Sequence, residues 1–278
     1  MFVHAVNPYG MAHFRRFNEH NVDLNRNAIP LDRWPTVLQK DPNLAKYQDF
    51  NNLFNPDFAP SFLHSHIIMW FQVVQNLVLH GFVAVKRAIV TGQYHDPKGL
   101  YYSGTSLEPS HVLLSTFIKD QGFDTSISGT VTWLDVHTGL GPPGVDTLLP
   151  SSIPGAGPET AKWFKGADIQ DPSVGSGGDV AAGYEYAEGF LEDLYSYSFP
   201  AAKELPLVIV QEFGTRPGIL VARAMILEHM AFIHDPANQP QWSTYTRDVF
   251  YVRTKEWKES VATRGILALF EAIQRSSQ

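Results

Sequence analysis

The chain has 278 residues, 44% of them hydrophobic, enough for a packed core in one large α/β domain or two small ones. Lys and Arg number 21 against 28 Asp and Glu, a formal net charge of -7 with no basic tract, which argues against nucleic acid or an anionic membrane surface as partner. Cysteine is absent, so disulfides, thiolate metal sites and cysteine nucleophiles are excluded together.

Phe2 to Val6 is short, apolar and partly β-branched, and Asn7-Pro8-Tyr9-Gly10 breaks it, which predicts a strand running into a turn. Asn18 to Asn27 is polar and predicts a structured loop. From Pro60 to Val90, Phe62, Ile67, Trp70, Phe71, Val74, Leu77 and Val78 recur at helical spacing. His64, His66, Gln72, Gln75, Asn76, His80, Lys86 and Arg87 interrupt that stretch, so it reads as a buried or half-buried helix and not a membrane span. Glu108-Pro109 opens a second helix through Phe117 to Lys119. Gly129 to Val136 and Leu205 to Val210 predict strands, and the latter lacks polar alternation, as a strand covered on both faces should. Ile153 to Gly183 is rich in Gly, Pro, Ser and Asp and has the length of an active-site loop or a surface excursion. Ile219 to Phe232 reads as a helix packing back on the sheet, and Thr254 to Gln274 as the closing helix.

No internal repeat or linker is visible, so an α/β fold with a single domain over 1–278 is expected. No charged leader precedes the first run, so no export signal is visible and the cytoplasm is favoured.

Three apolar runs end in residues suited to hydrolytic chemistry: Phe2 to Val6 before Asn7, Val131 to Val136 before His137, and Leu207 to Val210 before Gln211 and Glu212. In open α/β sheets ligands bind outside the carboxyl ends of the strands, so the three ends are expected to share one crevice. An acid such as Glu212 at the end of an uncharged run has to be paired, solvated or functional, because burying it alone is costly. Other readings fail. Gly139-Leu140-Gly141-Pro142-Pro143-Gly144 fits a dinucleotide-loop spacing, but its prolines and the extended Val145 to Leu149 build no helix start. Gly175-Ser176-Gly177-Gly178 lacks the lysine of a phosphate loop, and no Gly-x-Ser-x-Gly elbow occurs.

Asn7-Pro8-Tyr9-Gly10, Arg15-Arg16, Asn21 to Asn27, Leu134-Asp135-Val136-His137-Thr138-Gly139 and Gln211-Glu212-Phe213-Gly214-Thr215 occur in that order. As an ordered set they resemble the zinc carboxypeptidase superfamily, which includes the succinylglutamate desuccinylases and aspartoacylases, and most closely an uncharacterised carboxypeptidase-like branch. The resemblance implies a three-layer α/β/α fold with a mostly parallel mixed sheet. It implies that His137 binds zinc, that Asp135 orients the ring, and that Glu212 is the general base acting on zinc-bound water. It also implies that Asn25 and Arg26 hold a substrate carboxylate and that Arg15 or Arg16 stabilises the oxyanion. The implied substrate is a small peptide or acylated amino acid with a free carboxylate. The family's tyrosine has no clear counterpart among Tyr184, Tyr186, Tyr195 and Tyr197.

A His-x-x-Glu zinc motif is missing. No histidine has a glutamate three positions on; His20-x-x-Asp23 is nearest and lies inside the Asn-Arg stretch, while His64-x-His66 turns its rings to different sides of a helix. Catalytic zinc needs three protein ligands plus water, and only His137 is identifiable. A positioned base alone contributes about 10²–10⁴-fold, short of the ~10⁶-fold or more of most enzymes. The chain as written is therefore expected to hold zinc poorly and not to be a competent zinc hydrolase. Either it is N-terminally truncated, with its first strands missing, or it is a shortened relative with another use. A strand beginning at residue 2 favours truncation and predicts an unpaired edge or apolar face near residues 2 to 6. The alternative function is a non-catalytic protein that keeps the Arg26 carboxylate pocket.

Overall fold

A computed structural model describes residues 1–127, 129–171 and 186–277. The chain divides into two compact units. One comprises Met1–Glu108, Gly183–Gly189 and Ile219–Asp248; the other comprises Pro109–Ala182, Phe190–Gly218 and Val249–Gln278.

The second unit is built on a four-stranded mixed sheet. Strands β1 (Thr132–Pro143), β2 (Asp146–Pro150), β3 (Asp168–Ile169) and β4 (Leu207–Gly214) lie in the order β1-β4-β2-β3. The β1/β4 and β2/β3 pairs are parallel, and β2 runs antiparallel to β4. β4 is apolar from Leu207 to Val210 because it has a strand on either side and cover on both faces; all four residues are buried. On one face Leu148, Leu207 and Ile209 pack with Ala156 and Phe164, and with Ala268 and Ala272 of the Lys255–Ser276 helix. On the other face Tyr195 of the Leu191–Ser196 helix stacks on Trp133 of β1, ring centroids 4.6 Å apart. Such an aromatic pair is worth about 0.5–1.5 kcal/mol beyond the area it buries.

The long closing helix starts where Thr254 accepts a hydrogen bond from the Trp257 amide, an N-cap. Near its other end Arg275 ties two strands together from below: Nη1 donates to the Val131 carbonyl at 2.7 Å and Nη2 to the Leu205 carbonyl at 2.6 Å. Pro109–Asp120 also forms the helix expected from its proline start.

The first unit is mainly helical. Its polar Asn18 to Asn27 segment is ordered because side chains stand in for backbone partners. Asn18 Oδ1 accepts from the His20 and Val22 amides, and Asp23 caps a short Leu24–Asn27 helix. Asn27 donates to the Ser103 and Ser106 carbonyls and accepts from the Glu108 amide. The Gly218–His234 helix is buried over Ala224 to Ala231, an apolar-rich stretch in which Glu228 and His229 are buried as well.

Four expectations need correction. Phe2 to Val6 forms no strand, and Phe2 is 88% exposed, because a strand exists only where a neighbour completes its hydrogen bonds. Pro60 to Val90 is not one buried helix: a π turn at His64–Ile68 leads into the Met69–His80 helix, Gly81 breaks it at φ +78°, and Phe82–Val90 departs at 109°. Its Phe62, Phe71 and Val78 are exposed rather than buried. The strand expected to end at Val136 runs on as β1 to Pro143. Ile153 to Gly183 contains a helix, Ala156–Trp163, and β3; its residues 172 to 183 lie outside the described residues. Among the described residues no single helix is long and apolar enough to cross a membrane.

Candidate functional site

The pleat of β1 puts Asp135 and His137 on the same face, since side chains alternate along a strand. Parallel pairing then sets His137 opposite Glu212 on β4, and the antiparallel register of β2 sets Thr147 on the far side of Glu212. Three polar residues from three strands thus form one row across the sheet, at the middle of β1 and near the carboxyl end of β4.

Within that row His137 Nε2 donates to Asp135 Oδ2 at 2.8 Å, and His137 Nδ1 lies 3.7 Å from Glu212 Oε2. Glu212 Oε1 accepts the backbone N–H of Leu140 at 2.9 Å. Burial works against a charge on the His137 ring, but Asp135, with Glu212 and Glu192 behind it, outweighs burial and pushes the imidazole up to about 9. The ring is therefore an imidazolium at neutral pH, flanked by carboxylates. Burial likewise favours neutral Asp135, and the His137 charge overcomes it, holding that carboxyl below its ordinary value.

A zinc ligand must offer a nitrogen lone pair. His137 turns one ring nitrogen to Asp135 and the other toward Glu212. Among the described residues no group of three His, Asp or Glu side chains is arranged to hold a metal ion. The zinc that the resemblance implies does not fit these residues as they stand. Their own chemistry is that of a cation held between two carboxylates, one of which is anchored through a backbone amide.

Of the four tyrosines left open by the sequence, Tyr195 is fully buried, with its hydroxyl 3.3 Å from His111 Nδ1 and its ring on Trp133, two residues before Asp135. Burial raises its pKa above the ordinary phenol value. Tyr186 and Tyr197 are exposed, and Tyr184 lies outside the described residues.

Arg15, Arg16, Asn25 and Arg26 belong to the first unit. Arg15 is buried: Nε lies 2.8 Å from Glu228 Oε1, Nη2 donates to Asn21 Oδ1 at 3.1 Å, and the guanidinium sits 3.5 Å over the Phe232 ring. Burial lowers its pKa, with Glu228 opposing. Arg16 is half-buried, donates to Asp23 Oδ2 at 3.0 Å and covers the Tyr101 ring. Asn25 is half-buried. Arg26 is buried, with Nε donating to the Val90 carbonyl at 2.6 Å and Nη1 to the Asn25 carbonyl.

Sequence reasoning missed the Leu140 amide and its neighbour Gly139. A Cβ at Gly139 would fall 2.9 Å from Glu212 Oε1, so the carboxylate occupies room that only glycine leaves. The available signal was a glycine two residues after His137 in an otherwise strand-like run.

No curated protein and no solved structure matches the chain. A family model described as "Protein of unknown function (DUF2817)" matches residues 1–264, and the chain belongs to that family.

Proposed function

We propose that this chain has a carboxypeptidase-like three-layer α/β/α fold and descends from amide hydrolases acting on small peptides or N-acylated amino acids with a free carboxylate. The observation that carries the reading is Glu212 beside His137 in register on adjacent parallel strands, with Asp135 bound to the ring. Glu212 is the base that takes a proton from the attacking water and passes it to the leaving amine. Asp135 fixes the His137 ring. Without a complete metal site Glu212 is limited to the ~10²–10⁴-fold that a positioned base supplies.

A second reading is favoured by one observation: both nitrogens of His137 already face carboxylates. In that reading the chain binds carboxylate-bearing peptides without cleaving them.

Zinc titration by calorimetry, with a panel of peptides and acylated amino acids assayed for both binding and hydrolysis, separates the two. The hydrolase reading expects slow hydrolysis of at least one panel member by wild type, reduced by ~100-fold or more in Glu212→Gln. Equal rates in wild type and Glu212→Gln would sink it. Binding of the panel with no cleavage under any zinc loading selects the second reading.

A further inference from the structure

One apolar face in the first unit is left open. Leu63, Ile67, Phe71, Val74, Val78 and Phe82 are all exposed, Phe71 to 71% and Val78 to 79%. The spacing of the first five, four, four, three and four residues, aligns them along one side of the π turn and the helix that follows, and Phe82 opens the next helix beyond the Gly81 break. From Ile67 to Val78 it is the 4-3-4 repeat of a helix-pairing seam. The helix holds to its own unit by the opposite side: Met69 and Val73 are buried, and the Ser65 carbonyl accepts two bonds from Arg223.

Charge decides what covers the seam. From Phe58 to Val85 there is no Asp, Glu, Lys or Arg, and the residues beside the seam include Gln72, Gln75 and Asn76. Helices that lie in a lipid surface carry Lys and Arg on their polar rim, and this chain has none there and a net charge of -7. A two-fold interface sets each group near its own equivalent, so a face without formal charge is what self-pairing needs. Area agrees. At about 100 Å² or more per side chain, the five along the seam offer on the order of 500 Å² per copy, the larger part of the ~800 Å² per partner in a standard interface.

We propose that this seam is a homodimer interface, in which the Met69–His80 helices of two copies pack antiparallel about a two-fold axis near Phe71 and Val74.

The test uses the full chain. Sedimentation equilibrium is expected to show a monomer–dimer equilibrium for wild type. Phe71→Glu, which sets like charges across the axis, is expected to weaken it by about 100-fold or more while the near-ultraviolet spectrum is retained. Because the chain has no cysteine, Phe71→Cys and Val74→Cys report proximity directly: mild oxidation is expected to link two copies through at least one of them, and not through Gln121→Cys, exposed in the other unit. Any of three results overturns the proposal: a wild type that stays monomeric at all concentrations, a Phe71→Glu dimer as tight as wild type, or cross-linking at both seam cysteines no greater than at Gln121→Cys. Flotation of a monomeric wild type with phospholipid vesicles would assign the seam to lipid and overturn it equally.

Discussion

The backbone N–H of Leu140 holds Glu212 Oε1 at 2.9 Å, just past Gly139, where β1 leaves its regular pairing with β4. One oxygen of the carboxylate is thereby fixed, and the other is turned toward His137.

Gly139→Ala tests that arrangement. The added methyl would lie 2.9 Å from Glu212 Oε1 and 3.3 Å from Phe250, and the carboxylate is the softer of the two neighbours. Glu212 is expected to swing away at a stability cost of about 1 kcal/mol. The Leu140 amide proton should then move upfield in a nitrogen–proton spectrum, with a small change in the denaturant midpoint.

Arg15 and Glu228 form a buried ion pair, their side chains 0% and 2% exposed. Burial pulls the arginine below its ordinary pKa and lifts Glu228 above its own, each opposed by the partner. Glu228→Ala leaves an uncompensated buried guanidinium and should cost about 3–5 kcal/mol. The double change Arg15→Met with Glu228→Leu should cost much less, which a urea double-mutant cycle would reveal.

His229 sets an acid dependence. Burial, reinforced by Arg15, pushes its imidazole down from 6.5 to about 3, and its Nε2 donates to the Lys98 carbonyl at 2.8 Å. Between those values the unfolded chain binds a proton that the folded chain refuses. Stability is therefore complete above pH ~6.5 and falls toward pH 3 by up to ~1.4 kcal/mol per pH unit from this group. His229→Gln removes the titration, so its stability difference from wild type should change across that window and stay level above it.

Arg275 closes the sheet from the last helix, with a third bond from Nη1 to Thr132 Oγ1 at 3.1 Å. Arg275→Met strips two carbonyls at the starts of β1 and β4 of their donor and is expected to cost about 2–4 kcal/mol. Arg275→Lys should recover only part, because a single ammonium cannot span both strands as the planar fork does. Thermal unfolding of the two variants checks the ranking.

Local pattern made several elements legible in advance. Leu207 to Val210 reads as a covered strand because no polar residue interrupts it, and all four are buried. The Gly218–His234 and Lys255–Ser276 helices followed from apolar spacing. Asp135 and His137 share a face by the period of any strand, so their hydrogen bond needed nothing distant.

Other features depend on partners that spacing does not encode. Phe2 to Val6 has the composition of a strand, and among the described residues no strand pairs with it. Phe71 and Val78 have helical spacing, but periodicity names a stripe without saying whether it faces inward, and theirs faces out. Gly139 to Pro143 carries loop-forming residues, and β1 runs on through it across a register break, with Gly139 and Pro143 both paired to Gly214.

By itself, then, the amino-acid order determined the Leu207–Gly214 strand, the part of β1 up to Val136, the Pro109–Asp120 and closing helices, and that Asp135 and His137 stand together, because these follow from periods of two and 3.6 residues. Tertiary structure alone decided that Glu212 stands opposite His137, that Leu140 anchors it, and that Arg15 spends its charge on Glu228. Strand register and burial are set by contacts between residues far apart in the chain, and local periodicity carries no information about them.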